Sequence, residues 1–170
     1  ERARSTRPRA PAAVATVDSV LWTGVAGKAD LQTGAPVRPE MLFGIGSITK
    51  TFVAVVILQL TEEGRLDLNA TAASLLGAAV DGIPNADKAT LAQLLNHTGG
   101  VRSWEDDPAW IHEGRGDRLE PARIWDKTAT LPYIKGQAAL APPGEKFSYA
   151  NTNFTLLGMV IEKVTGNQAV

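Results

Sequence analysis

The sequence predicts an α/β (α+β) fold, with an antiparallel sheet edge flanked by helices and followed by a mostly helical domain. Three observations predict it. The first fifty residues hold short alanine- and valine-rich runs punctuated by turn residues. Two later segments, Phe52 to Leu60 and Phe154 to Val164, carry apolar residues at helical i, i+3, i+4 spacing. Between them, from Arg65 to Pro143, strand signals fade and short helical patterns separated by Gly and Pro take over.

Ala12 to Val17 and Val20 to Val25, broken by Asp18-Ser19, read as a hairpin. Gly24, Gly27 and Gly34 mark turns, and Met41 to Ile45 reads as one more short strand. Gly46 or Ser47 is positioned to cap the next helix, in which Phe52, Val53, Val56, Ile57 and Leu60 repeat until Gly64 ends it. The near-continuous apolar run from Phe52 to Leu58 predicts a central helix buried on most sides.

Leu66 to Leu76 and Thr90 to Leu95 are the next helical pieces. Thr90 reads as the N-cap of the second, and His97-Thr98-Gly99-Gly100 closes it. His97 has two readings there: a general base, or a histidine hydrogen-bonded to the last helix carbonyls. Trp104 to Lys135 holds Trp104, Trp110, Trp125 and the acidic run Glu105-Asp106-Asp107; it reads as an irregular surface excursion over a cleft, with aromatic rings able to contact a substrate. Ala141-Pro142-Pro143-Gly144 is a rigid turn. The last helix places Leu156, Leu157, Val160 and Ile161 on its buried side and ends at Gly166. The chain thus divides into strands and a nucleophile helix over 1–64, a mostly helical domain over 65–152, and a helix over 153–170.

Composition narrows the function. Of 170 residues, 44% are hydrophobic and 21% charged, with a net charge of −1, as in an ordinary globular domain. The longest apolar run, Phe52 to Leu58, is far short of the roughly 18 residues a spanning helix needs, so no membrane span is expected. Near-neutral charge argues against nucleic acid or an anionic membrane as a partner and for a small neutral or mixed-charge substrate. Glu1 to Pro11 carries Arg2, Arg4, Arg7 and Arg9 with no apolar segment after it, so it reads as a solvated tail or the start of an edge strand and not as a signal peptide. The absence of cysteine excludes disulfide and thiolate chemistry, and His97 and His112 form no paired-ligand motif, so neither a metal nor a cofactor is assigned.

The chemistry lies in Gly46-Ser47-Ile48-Thr49-Lys50. A serine hydroxyl needs a neighbouring base or cation to act as a nucleophile near neutral pH, and Lys50, three positions on, shares a helix face with Ser47. The free N–H groups of a helix's first turn also favour developing negative charge. A second pattern is Tyr149-Ala150-Asn151. Alone it reads as a buried aromatic with a turn-forming asparagine. Beside Ser-x-x-Lys it reads as a phenol able to carry a proton and a carboxamide able to hold an amide.

With these motifs, the chain resembles the serine β-lactamase and DD-peptidase superfamily, in the branch of class C β-lactamases, the Streptomyces-type D-alanyl-D-alanine carboxypeptidase and related esterases. The likeness rests on Gly46 to Lys50, on Leu94-Leu95-Asn96-His97-Thr98-Gly99-Gly100, and most closely on Pro143 to Gly166. It implies a β-lactamase/transpeptidase-like fold. It also implies that Ser47 attacks a D-alanyl peptide, β-lactam or ester, that Lys50 and Tyr149 share the proton work, that Asn151 binds the substrate's amide, and that the Ser47 N–H is one oxyanion donor. By the same resemblance the expected location is extracellular or periplasmic.

The family's third motif, Lys/His-Thr/Ser-Gly, has no counterpart beyond Gly166; His97-Thr98-Gly99 spells the letters but belongs to the earlier helix end. Two readings follow. In one, the chain is the N-terminal portion of a hydrolase whose sheet, incomplete here, is finished by a complementing C-terminal segment or chain. In the other, it is a non-catalytic remnant or penicillin-binding sensor.

Overall fold

The structure is a computed structural model and describes residues 10–120 and 122–167. It divides into two compact units, Glu1–Ile45 and Gly46–Val170. In the first, β1 (Ala10–Ala15) pairs antiparallel with β2 (Val20–Ala26), setting Ala10 opposite Ala26 and Val14 opposite Trp22. The predicted hairpin forms: the Thr16 N–H donates to the Ser19 carbonyl at 2.8 Å, and their hydroxyls bond at 3.1 Å. Of the Glu1 to Pro11 segment, Ala10 and Pro11 begin β1; residues 1–9 lie outside the described residues.

Two expectations for this unit are corrected. Gly24 marks no turn but lies inside β2, where the Trp22 indole covers its backbone so closely that a Cβ would sit 2.3 Å from the ring. Met41 to Ile45 is not a strand. The Met41 N–H turns back to the Arg38 carbonyl, and among the described residues no strand pairs with this segment.

The second unit opens with a single 3₁₀ turn, Gly46–Ile48, that runs straight into α1 (Thr49–Glu62). Neither Gly46 nor Ser47 caps α1: the N-cap is Ile48, with no side-chain bond. Nor is α1 buried on most sides. Ile57 and Leu60 are buried, with Val53 and Val56 packed beside them, whereas Phe52, Val55 and Leu58 are 63%, 47% and 46% exposed. Helical geometry puts the first four on one face, and that is the face that packs on the core.

α2 (Ala72–Leu76) is shorter than the predicted Leu66 to Leu76. Asp67 folds the preceding segment into a turn by accepting from the Asn69 N–H at 2.8 Å, and the helix starts only after the Thr71–Ser74 capping box. α3 (Leu91–Leu95) has the predicted Thr90 cap, made reciprocal by Gln93. The chain then bends at Gly100, whose φ of 66° and approach to the Ala141 carbonyl leave no room for a Cβ, which would lie 2.1 Å from that oxygen. The Asn85 amide ties the bend together by donating to the carbonyls of Gly99 and Ala141, each at 2.9 Å.

Trp104 to Lys135 is more ordered than a surface excursion. It holds α4 (Pro108–Gly114), capped by Asp107, and a 3₁₀ segment, Lys127–Tyr133, that buries Thr130 and Leu131. The sequence pattern misses it because the apolar contacts come from a few residues separated by polar ones. α5 (Asn151–Thr165) buries Leu156, Leu157, Val160 and Ile161 as predicted and ends at the left-handed Gly166 (φ 74°). These side chains join Ile57, Leu60, Leu91, Leu94 and Ile134 in one apolar core. Among the described residues no helix is long and apolar enough to cross a membrane.

Because Leu157 is fully buried at the centre of this core, Leu157→Ala is expected to lower unfolding stability by about 2–5 kcal/mol. Phe52→Ala, on the exposed face of α1, is expected to change it by no more than about 0.5 kcal/mol. Urea titrations of the two variants check the difference.

Candidate active site

The 3₁₀ turn before α1 sets Ser47 one turn ahead of Lys50, and the Lys50 ammonium donates to Ser47 Oγ at 3.2 Å. Tyr149, 102 positions later, brings its phenolic oxygen to 2.7 Å from the same Oγ. Since Lys50 donates to Oγ, the serine's own proton is free to point at the tyrosine oxygen. Lys50 Nζ also lies 5.0 Å from the Tyr149 ring centroid and 5.7 Å from that of Phe154, so the cation rests among π-faces. Ser47, Lys50 and Tyr149, expected to act together, form one bonded group. Asn151 stands two residues beyond Tyr149 as the first residue of α5.

The approach to α5 is pinned by side chains that sequence reasoning did not single out. Ser103 Oγ accepts from the Asn151 N–H, and Thr152 Oγ1 accepts from the Trp104 N–H, each at 3.1 Å. His97 bears out the helix-end reading through its backbone, whose N–H donates to the Leu94 carbonyl of α3 at 3.3 Å, while its ring takes a place that neither reading held. Its ring is buried, its Nδ1 accepts from the Ala150 N–H at 3.2 Å, and its face lies 4.5 Å from the Tyr149 ring at a 31° tilt. The helix stop read at Gly99-Gly100 falls earlier, at Asn96, leaving His97 in the left-handed region (φ 61°) with its side chain turned under the tyrosine. The available signal was a histidine beside two glycines, which fits a capping residue equally well.

Burial by itself would raise the Tyr149 phenol, but hydrogen bonds with Lys50 and Ser47 and the Lys50 charge outweigh it and hold the group below its ordinary value of 10. Tyr133 goes the other way, pushed up by burial and by its hydrogen bond to the Glu113 carboxylate. His97 is held below 6.5 by burial and by Lys50, so its ring is neutral near pH 7.

A cavity of about 670 Å³ opens beside the bonded group. Lys50 and Asn151 line it together with Trp104, Ile124, Trp125 and Phe154, so the apolar wall is continuous with the polar centre. Trp104 is fixed by a bond from its indole N–H to Thr155 Oγ1 at 3.1 Å, and the Arg123 guanidinium stacks on Trp125 at 3.7 Å. The rings named in the sequence as possible substrate contacts therefore do face the cleft at Trp104 and Trp125.

A serine hydroxyl held between an ammonium and a phenol, at the start of a helix and beside an apolar cleft, is a constellation suited to acyl transfer. The chain belongs to the beta-lactamase family, whose model matches residues 1–170. That family is one of serine hydrolases of the β-lactamase and penicillin-binding type, and the mixed helix and antiparallel-strand fold is theirs. Penicillin-binding protein 4 of Amycolatopsis lactamdurans is 32% identical over 88% of this chain and 37% of its own length. Esterase EstB of Burkholderia gladioli is 30% identical over 92% and 41%. A crystal structure of a D-stereospecific amidohydrolase from Streptomyces sp. superposes with a TM-score of 0.71 at 38% identity, over 86% of this chain and 42% of that one. The chain spans about two-fifths of the length of each of these proteins.

The two tyrosines, shifted in opposite directions, are expected to ionise in two separated steps in an ultraviolet titration, one on each side of pH 10. Tyr149→Phe should delete the lower step and leave folding nearly unchanged. Lys50→Met should move that step upward, because it removes the cation that favours phenolate.

Proposed function

We propose that the protein is an acyl-transferring serine hydrolase in which Ser47 is the nucleophile, Lys50 and Tyr149 are its proton-handling partners, and Asn151 binds substrate. The observation that carries this reading is the position of Ser47 Oγ, 2.7 Å from the Tyr149 oxygen and 3.2 Å from Lys50 Nζ. Lys50 favours the phenolate of Tyr149, and the phenolate takes the Ser47 proton as Oγ attacks a carbonyl carbon. The tetrahedral oxyanion is met by the Ser47 backbone N–H, with the uncapped start of α1 adding its dipole. Tyr149 then returns the proton to the departing amine or alcohol, and water or another acceptor releases the acyl group. The substrate class is a D-alanyl or other D-amino-acyl peptide or amide, a β-lactam or an ester, met outside the cytoplasm. Its acyl amide lies against Asn151, and an apolar side chain enters the cavity between Trp104, Trp125 and Phe154. The similarity to a penicillin-binding protein, an esterase and a D-stereospecific amidohydrolase supports this reading.

A fluorescent penicillin or a fluorophosphonate probe tests it in the full-length protein. Labelling is expected at Ser47 and is expected to vanish in Ser47→Ala; an unlabelled wild type sinks the proposal. Lys50→Ala should slow acylation by at least about 10²-fold, the range of general acid–base assistance. Near-normal rates in that variant would remove Lys50 from the mechanism.

A further inference from the structure

The Tyr149 phenol must stay aimed at Ser47, yet it sits on a short non-helical stretch and is 42% exposed. The peptide groups on both sides of it are bonded to one residue. The His97 carbonyl accepts from the Ser148 N–H at 2.8 Å, and His97 Nδ1 accepts from the Ala150 N–H at 3.2 Å. Its ring then supports the phenol from below, with Phe147 edge-on at 5.8 Å and Phe154 at 5.3 Å completing the seat. Resting on the hydrolase reading above, we infer that His97 is a positioning residue of the reaction, a neutral imidazole that fixes the Tyr149 phenol against Ser47 by holding the peptide on either side of it.

The bonding partners fix the tautomer. A backbone N–H can only donate, so Nδ1 carries a lone pair and the proton is on Nε2. Asn153 Nδ2, 3.2 Å from the same Nδ1, must then also be a donor, and this orientation leaves Asn153 Oδ1 buried without a hydrogen-bond partner. That unpaired oxygen is explained by the requirement: turning the amide over would set its oxygen against the imidazole lone pair. Protonation of Nδ1 reverses both demands. The imidazolium can donate to a turned Asn153 Oδ1, but the Ala150 N–H loses its acceptor, and with it the hold on Tyr149. The titratable groups facing the ring are Lys50 from α1 and Tyr149 from the stretch before α5; Phe147, Asn153 and Phe154 are uncharged, and Glu105, paired with Arg115, bears on Tyr149 and not on the ring. Lys50 and burial both oppose protonation. The clamp is therefore intact above the ordinary imidazole value and is lost as pH falls through the lower folded-state value.

Two substitutions separate clamping from packing, since both Gly and Asn tolerate the left-handed φ at this position. His97→Gly removes the acceptor, whereas His97→Asn places Oδ1 near where Nδ1 was and cannot titrate. Nitrogen-15 NMR of the wild type should report the Nε2–H tautomer at neutral pH; an Nδ1–H ring overturns the inference. Hydrogen exchange at the Ala150 amide should be fast in His97→Gly and slow in His97→Asn. With the fluorophosphonate probe, His97→Gly should lower the limiting acylation rate by roughly 10–10²-fold with little change in half-saturation, as for a misaimed catalytic group. His97→Asn should restore the rate and abolish the acid limb of its pH profile. Equal rates in His97→Gly and wild type, or equal loss in both variants, overturns the inference while leaving the hydrolase reading standing. A wild type that does not label overturns the hydrolase reading, and with it the catalytic sense of the clamp, while the tautomer and exchange results still decide whether the clamp exists.

Discussion

The site depends on the packing of α1 against α5. Ser47 and Lys50 stand at the head of α1 and Tyr149 and Asn151 at the head of α5, with about a hundred residues of chain between them. The hydrogen bond joining Ser47 to Tyr149 lies at the surface. Such a bond contributes only about 0.5–1.5 kcal/mol net, comparable to the entropy lost in ordering the two side chains. It cannot draw the helices together. Ile57 and Leu60 packed with Leu156, Leu157 and Val160 supply the apolar contact that does, and the polar geometry follows from where those residues fall along each helix.

The beginnings of the helices carry a second regularity. α2, α3 and α4 are each capped by a side chain, Thr71, Thr90 and Asp107, which meets some of the N–H groups a helix leaves without partners. α1 and α5, the two helices that meet at the site, start at Ile48 and Ala150, neither of which caps with its own side chain; at α5 the Asn151 N–H is met instead by Ser103 Oγ. A capping role for Ser47 would turn its oxygen toward the helix backbone and away from Tyr149. Leaving the cap out costs α1 about 1 kcal/mol relative to a serine or threonine cap. It keeps the nucleophile's oxygen available and leaves the positive end of the dipole beside it.

Much of this was legible in the sequence. The hairpin, the Thr90 cap, α5 with its buried face and the Ser47–Lys50 contact follow from local pattern, because each depends on neighbours within a few positions; that Tyr149 would join Ser47 was expected only from the two motifs taken together. What was not legible depends on distant partners. Met41 to Ile45 has strand composition but, among the described residues, no strand beside it. The run from Phe52 to Leu58 has core composition but is covered on one face only. His97 was ambiguous for the same reason: its ring nitrogen serves Ala150, 53 residues away, and no local rule points there. Ser103 and Thr152, ordinary small polar residues in sequence, become supports only when the helix they flank is in place.

The exposure of the bonded group bears on how its chemistry can be driven. Ser47 and Tyr149 both face solvent, where water screens the influence of Lys50 on the phenol. The downward shift of Tyr149 in the free protein is therefore the weaker, hydrated version of the effect. In the proposed reaction, a substrate whose apolar portion fills the cleft along Trp104, Trp125 and Phe154 lies across Lys50 and Asn151 and expels water from around the ammonium. With the solvent gone, the ammonium acts more strongly on the phenol, and the desolvation that raises the phenol grows with it, so the bonds from Lys50 and Ser47 decide whether phenolate stays favoured. On this reasoning the apolar cleft and the polar centre are parts of one device. In the proposed reaction, burial of a chemically inert side chain strengthens both the pull of Lys50 on the phenol and the opposing cost of desolvation, and the hydrogen bonds that hold Tyr149 set the balance.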